Sequence, residues 1–321
     1  MILILSNKWD VTVDFVVREL RNRGAEFLRI NTEDLLADGM DVRYPGPSVR
    51  IGKAGSLREV SGNLAAVWNR RPGRPFDFVP MADRPSDAVQ KFVSDQWFAC
   101  LEALELVGGV RWINPPAANE RMESKPRQLQ LAAQLGFATP RTLVSNRGDA
   151  IRAFCVSEGG QLVAKALYAP LIEEPEQDYF VFSNIVDLSN LNDDQALAAA
   201  PSIFQQVLTP KVDYRVTVVG DRVLGAKLAV EEDAGGPLDW RTSGRDLRFE
   251  ACRLPAAIED LCRAFVSRAG LAFGAIDLVE HADCFYFLEV NPNGEWGWLE
   301  KTAGIPICSA LCDLLTAKAS G

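Results

Sequence analysis

Near the end of the chain, FLEVNPNGEWGWLE (residues 287–300) runs a strand-like segment into Glu289, Asn291 and an Asn-Pro-Asn-Gly turn. Strand side chains alternate, so residues two apart share a face. Glu289 and Asn291 fall on one face, Leu288 and Val290 on the other. The preceding apolar strand, residues 273–279, carries one acid, Asp277. A hairpin with Ala282-Asp283-Cys284 as a three-residue loop sets Asp277 opposite Glu289, with Cβ atoms about 5 Å apart. Two carboxylates that close repel unless a proton or a cation lies between them. Asn291 adds a third oxygen donor. Hard oxygen ligands from two strands suit Mg²⁺, which keeps waters and nucleotide phosphates as its other ligands. A lone acid would read as a surface strand end; three donors in register favour a metal.

A magnesium site of this kind needs phosphates held nearby. The chain has no GxxxxGK[ST] and no GxGxxG after a strand, so neither glycine-rich phosphate loop is available. Lysines are the alternative. Lys125 opens a helix, whose N-terminus also favours anions. An ordinary helix-start lysine explains it about equally well. Lys165 sits inside the apolar strand Leu162-Val163-Ala164-Lys165-Ala166, where a lysine needs a partner. The alternative there is an edge strand with a snorkelling side chain.

Composition removes other chemistries. A net charge of −9 and a pI near 4.9 argue against general nucleic-acid binding. His281 is the single histidine, so a multi-histidine zinc site is impossible and any Ser-His-Asp or Cys-His machinery must use that residue. It lies in EHADC, which reads as a solvated hairpin turn. Seven cysteines without a Cys-x-x-Cys pair describe a reduced, cytoplasmic chain with scattered core thiols. Cys308 and Cys312, four apart in an apolar helix, read as core. No window approaches a membrane span. The opening MILILSNKWD lacks a basic segment before its short apolar run, and reads as a first strand and not a signal peptide.

The elements follow the same pass. Strands at 1–6, 26–31, 64–68 and 110–114 alternate with helices at 11–23 and 86–107, which predicts a parallel sheet with helices on its faces. Pro115-Pro116 marks a boundary. Helix 125–135, strand 141–144, helix 149–157, strands 161–166 and 179–186 and helix 193–200 follow. Then come strand 203–208 and a pair, 214–219 and 222–228, turning at Gly220-Asp221. A polar loop over 231–246, helix 256–269, the carboxylate hairpin and a short terminal helix complete an α/β chain with 48% hydrophobic residues, ample for a packed core.

Lys125, Lys165, Phe204-Gln205-Gln206-Val207-Leu208, Lys211-Val212-Asp213-Tyr214-Arg215, Asp277 and Glu289-Val290-Asn291, in this order, resemble the ATP-grasp ligases. Val67-Trp68-Asn69-Arg70-Arg71-Pro72, Trp112-Ile113-Asn114-Pro115, Lys125-Pro126-Arg127-Gln128-Leu129, 140–146, Asp239-Trp240-Arg241 and 291–296 are similar to the microviridin-type graspetide ligases, which mature ribosomal peptides. The resemblance implies a pre-ATP-grasp α/β domain over 1–116, a central lid domain over 117–208 and a C-terminal antiparallel-sheet domain over 209–321. It implies an ADP-forming enzyme using ATP and Mg²⁺, as two ions. An Asp or Glu of a precursor peptide, leader plus core, becomes an acyl phosphate and is attacked by a Ser or Thr hydroxyl or a Lys amine. The product is an ester or amide crosslink.

Under that resemblance Asp277, Glu289 and Asn291 hold Mg²⁺, and Lys125 and Lys165 neutralise the α/β-phosphates. Gln205, Gln206, Val207 and Leu208 lie along the adenine. Arg215 faces the γ-phosphate, and Lys211 and Asp213 on the same strand face orient the acceptor. A charged ladder on a solvated sheet is the alternative for that triplet. Arg70 and Arg71 form a positive patch for an acidic substrate segment, or a solvated turn pair. Asp239, Trp240 and Arg241 offer a substrate contact in the polar loop. Membrane and nucleic-acid partners are not expected; a homodimer is. Two departures stand out. The span 168–178 has no glycine where many relatives carry a glycine-rich phosphate loop, and Gln206 stands where many place an acid for the ribose. The competing reading is an ATP-grasp ligase that joins free amino acids or tails a protein.

Overall fold

A computed structural model describes residues 1–168, 171–172, 179–180, 183–229 and 248–317. The first sheet is parallel, in the order Phe27–Asn31, Ile2–Ser6, Ala66–Asn69, Arg111–Ile113. Helix Val11–Asn22 covers it. Its buried Val13, Val16, Val17 and Leu20 recur at the spacing of one helical face. Asp10 caps it, accepting from Thr12 N at 3.1 Å. Between the second and third strands the chain inserts an antiparallel meander, Asp38–Arg43, Ser48–Lys53 and Arg58–Glu59, that the sequence reading did not foresee. The long helix read over 86–107 is Asp87–Leu101 followed by a 3₁₀ turn, Glu102–Leu106.

The second sheet is antiparallel, in the order Asn184–Asp187, Gln161–Lys165, Ser202–Gln206, Thr142–Ser145. The single strand read over 179–186 is two pieces. Tyr179–Phe180 pairs with Leu171–Ile172 in its own ladder, and Asn184–Asp187 joins the sheet. Helix Lys125–Leu135 leads into this region and ends on Gly136 at φ +99°, the left-handed cap that glycine accepts at no steric cost.

The third sheet has five antiparallel strands: Arg248–Cys252, Arg222–Ala229, Val212–Val219, Phe273–His281 and Cys284–Asn291. One of its faces packs on helix Ala256–Arg268 through Val216, Val218, Ile276, Phe265, Phe287 and Val290. The sheet's far end joins the first unit. Val13, Val16 and Leu20 meet Leu311, Cys312 and Leu315 of helix Ile307–Thr316, with Val219, Phe273 and Trp296 in the same core. Each such side chain contributes about 1.5–3 kcal/mol of burial, so the parallel unit is fixed to the sheet that carries the acids. Cys308 and Cys312 are buried there, as read from the sequence, and every cysteine among the described residues is a free thiol. No helix among the described residues is long and apolar enough to cross a membrane.

Candidate active site

The second and third sheets face each other across an open cleft lined by side chains from both. The second sheet and the residues after it contribute Val163, Lys165, Gln205, Gln206 and Leu208. The third contributes Lys211, Asp213, Tyr214, Asp277, Val279, Leu288 and Glu289.

The acids are brought together as expected, by a different hairpin. The turn has two residues, Ala282 and Asp283, at φ +49° and +59°, and His281 pairs with Cys284. That register alone would set Asp277 across from Leu288. A bulge between Asp277 and Leu278 restores the pairing Asp277↔Glu289. Leu288 is the extra residue, and a bulge breaks side-chain alternation locally. The expectation that Leu288 and Val290 share a face is therefore corrected. Leu288 lines the cleft with Glu289, while Phe287 and Val290 enter the core. His281 stands at the turn as expected, its Nδ1 2.8 Å from Pro210 O.

Arg215 lies opposite Asp277 on the next strand. A row therefore crosses three strands: Arg215, Asp277, Glu289. Arg215 Nη1 donates to Asp277 Oδ1 at 2.8 Å, with both side chains almost out of solvent. Asn291 Nδ2 reaches Glu289 Oε1 at 3.5 Å. Lys125 Nζ lies 3.6 Å from Glu289 Oε2 and donates to Ala166 O at 3.0 Å. It thus ties the start of its helix both to the acid pair and to the end of the Lys165 strand. Desolvation, and then the charge of Glu289, push Glu123 up, with Lys125 and Arg71 opposing. Among the described residues no cluster of three His, Cys, Asp or Glu side chains forms a closed metal cage. Two carboxylates in register, an adjacent amide oxygen and an open cleft are instead the donor set of a cation that keeps other ligands. The residues fit Mg²⁺.

The remaining sequence candidates are placed as follows. Gln205 is buried and donates to Thr142 Oγ1 at 3.0 Å. Gln206 N donates to Arg141 O at 2.9 Å. Val207, half-buried, is not in the cleft lining. Lys211 and Asp213 form an ion pair at 2.7 Å, both in the lining. Arg215 itself stands behind Asp277, outside the lining. Asp239, Trp240 and Arg241 lie outside the described residues, as does most of the glycine-free span after Tyr168.

Arg70 and Arg71 are neither a solvated pair nor a matched surface patch. The Arg70 side chain is 1% exposed, with Nε 3.0 Å from Asp10 Oδ2 and Nη2 2.6 Å from Glu295 Oε1. Burial is the largest influence on Arg70 and lowers its pKa, the like charge of Arg71 adds to this, and Asp10 and Glu295 oppose both. Arg71, 42% exposed, reaches Glu295 Oε1 at 2.5 Å and Asn293 O at 2.9 Å. Both arginines hold the turn after Asn291.

Sequence reasoning assigned no role to two further residues that brace this site. Gln128, buried on helix Lys125–Leu135, accepts from Val290 N at 2.9 Å and donates to Val290 O at 3.0 Å. It pairs the backbone between Glu289 and Asn291 as another strand would. Asn114 donates to Phe273 O at 3.0 Å and Pro292 O at 2.9 Å, and accepts from Phe273 N at 2.9 Å. Their signal was an amide inside an otherwise helical or strand pattern, where a buried amide needs all its partners.

Gly294 leaves no room for a side chain. A Cβ there would stand 2.5 Å from Ala275 Cβ and 2.7 Å from Arg215 Nη2. Gly294→Ala is expected to push Arg215 off Asp277 and to lower turnover by about ten- to a hundredfold, the scale of a displacement near 1 Å. Steady-state kinetics alongside a melting curve check this. Full turnover in a folded Gly294→Ala protein would mean that Arg215 needs no fixed seat.

No protein-family profile matches the sequence, and the curated proteins give no match. Solved structures do. The macrocyclase MdnC of Microcystis aeruginosa MRC, crystallised with its precursor peptide MdnA, is 24% identical with a TM-score of 0.85, covering 98% of each chain. A RiPP-associated ATP-grasp ligase of Chryseobacterium gregarium, in complex with ADP and a leader and core peptide, is 24% identical with a TM-score of 0.85, covering 100% of this chain and 98% of that one. The ATP-grasp ligase PsnB, complexed with a phosphomimetic variant of its minimal precursor, Mg and ADP, is 25% identical with a TM-score of 0.76, covering 98% and 97%. The chain has the ATP-grasp ligase fold. Within that fold its likeness runs end to end with a precursor-bound macrocyclase and peptide-bound ATP-grasp ligases.

Proposed function

We propose that this chain is an ADP-forming ligase that crosslinks side chains within a ribosomal precursor peptide. The observation that carries the reading is the row Arg215, Asp277, Glu289 at a cleft whose opposite wall holds Lys165. The end-to-end likeness to peptide-bound macrocyclases supports the substrate class. A carboxylate is a poor electrophile. Bound ATP would supply the phosphoryl group that makes an Asp or Glu of the peptide an acyl phosphate, with ADP as leaving group and Mg²⁺ neutralising the phosphate oxygens. A Ser or Thr hydroxyl or a Lys amine of the same peptide then displaces phosphate, forming an ester or amide.

The protein's part is positioning and charge neutralisation. Asp277, Glu289 and Asn291 would hold Mg²⁺ when it is bound. Lys125 and Lys165 neutralise phosphate oxygens from the second-sheet side. Gln205, Gln206 and Leu208 would border the base. Arg215 balances charge at the transferring group, and Lys211 with Asp213 orients the acceptor. The chain divides at 116 and 208 into a pre-ATP-grasp unit, a lid and the unit bearing the acids. It works as a homodimer in the cytoplasm, which size-exclusion chromatography and fractionation check.

Purified protein with ATP, Mg²⁺ and a candidate precursor peptide tests the reading. ADP release that requires the peptide, and that free amino acids do not stimulate, is expected. ADP release with amino acids and none with peptides would replace it with a free-substrate ligase.

A further inference from the structure

We infer that Arg70 is a positioning residue of this ligase site, acting through the turn at 293–295 on Arg215; the inference rests on the ligase reading above. Arg70 is more than 200 residues away in sequence and makes no contact with the acids themselves. Its guanidinium is buried, and a buried charge is retained only when its donors are met. Here both terminal nitrogens are hydrogen-bonded in a fork, and Nε is met by charge alone, its ion pair with Asp10 lacking hydrogen-bond geometry. Nε faces Asp10, Nη2 faces Glu295, and Nη1 donates to the carbonyls of Asn293 and Gly294, the latter at 3.2 Å. A lysine has one nitrogen and cannot span these partners.

Both ends of the fork are anchored. Asp10 is fixed as the cap of helix Val11–Asn22. Glu295 also accepts from Thr12 Oγ1 at 2.5 Å. The first βα unit therefore grips the turn that follows the metal-ligand strand.

The other side of that turn touches the site. Gly294 seats its backbone so closely on Arg215 and Ala275 that a single carbon would overlap both. Gly294 N also donates to Asn291 O at 3.1 Å, linking the turn to the candidate metal ligand. With Arg70 in place the wall behind Arg215 is rigid, and Arg215 is held against Asp277. Without it, the turn loses its charged anchor, and the error passes directly to Arg215 and Asn291. A merely structural Arg70 would instead glue two units together with no preference for what lies beyond the turn.

Arg70→Lys and Arg70→Gln in the full chain separate the two. For positioning, peptide-dependent kcat per folded enzyme falls by about ten- to a hundredfold, the scale of an ångström-size displacement. The KM for ATP changes far less, and the Mg²⁺ concentration needed for tight ADP binding rises. Glu295→Gln shifts the same quantities less. Arg70→Gln combined with Gly294→Ala loses less than the product of the single losses, because both act through one wall.

A kcat per folded enzyme equal to wild type, or multiplicative losses in the double variant, would overturn the inference. If the wild-type protein binds Mg²⁺ and ADP but no peptide elicits turnover, the ligase reading fails alone. The Mg²⁺ titration of ADP binding then still decides Arg70: an unchanged Mg²⁺ requirement in Arg70→Gln overturns its role.

Discussion

Asp277→Asn lowers peptide-dependent ADP release by about a thousandfold or more while the protein stays folded. The amide keeps an oxygen that accepts from Arg215, so the 2.8 Å contact to Nη1 survives as a neutral acceptor and the sheet is not opened. What is lost is the negative charge. Mg²⁺ gives up water reluctantly and needs anionic oxygen to do so, and removing one preorganised electrostatic group at a reacting centre costs about 10²–10³ in rate by itself. Glu289→Gln behaves the same way, since it faces Asp277 in register. It differs in one respect. Glu289 also lies beside Lys125, so the KM for ATP rises with it and not with Asp277→Asn. Turnover assays across Mg²⁺ concentrations, with circular dichroism as the fold control, check both. Normal turnover in either folded variant would remove the metal assignment.

Arg215→Met has the second large effect, in two separable parts. Turnover falls by about 10³-fold or more, the scale of losing an arginine that balances charge on a transferring phosphoryl group. Stability falls too. Arg215 and Asp277 form a pair with side chains 6% and 11% exposed, and removing one partner of a buried pair costs about 3–5 kcal/mol. Adding Asp277→Asn should recover much of the stability and none of the activity. Denaturant titrations of the two single variants and the double variant measure the first part, and ADP release the second. A double variant as unstable as Arg215→Met alone would contradict the pairing, and an active one would contradict the role.

The acid pair was legible because Asp277 and Glu289 are each alone among apolar strand residues, and an acid in that setting must have a reason. The pairing itself came out right through two compensating differences. The turn is one residue shorter than read, and the bulge at Leu288 adds that residue back. Bulges have no dependable sequence signal, so the side-chain facing of Leu288 was not available from alternation. The cleft's cations were legible for the same reason as the acids. That holds for Lys165, inside an apolar strand where a lysine needs a partner; Lys125 read equally well as an ordinary helix start, and its place beside Glu289 is set by the fold.

Arg70 was not legible, because its burial is decided by a turn at the far end of the chain. Two adjacent arginines after a strand look like solvated charge until Asp10 and Glu295 are brought to one of them. Gln128 and Asn114 are similar cases. They lie within stretches that carried the family resemblance, yet their work is to bond backbone that only the tertiary fold delivers. The meander over 38–59 escaped because its edge strand has two residues and its pairs run through Gly39, Gly52 and a Pro-Gly turn, which weaken any strand pattern.

The most direct test of the account is the mass of a candidate precursor peptide coexpressed with this protein, next to the same peptide coexpressed with the Asp277→Asn variant. The account predicts the loss of one water mass for each crosslink with the wild-type chain, and an unmodified peptide with the variant. Base treatment then reopens esters and leaves amides. The same dehydration with the Asp277→Asn variant would contradict it, since the crosslinks would then form without the acids that define the site.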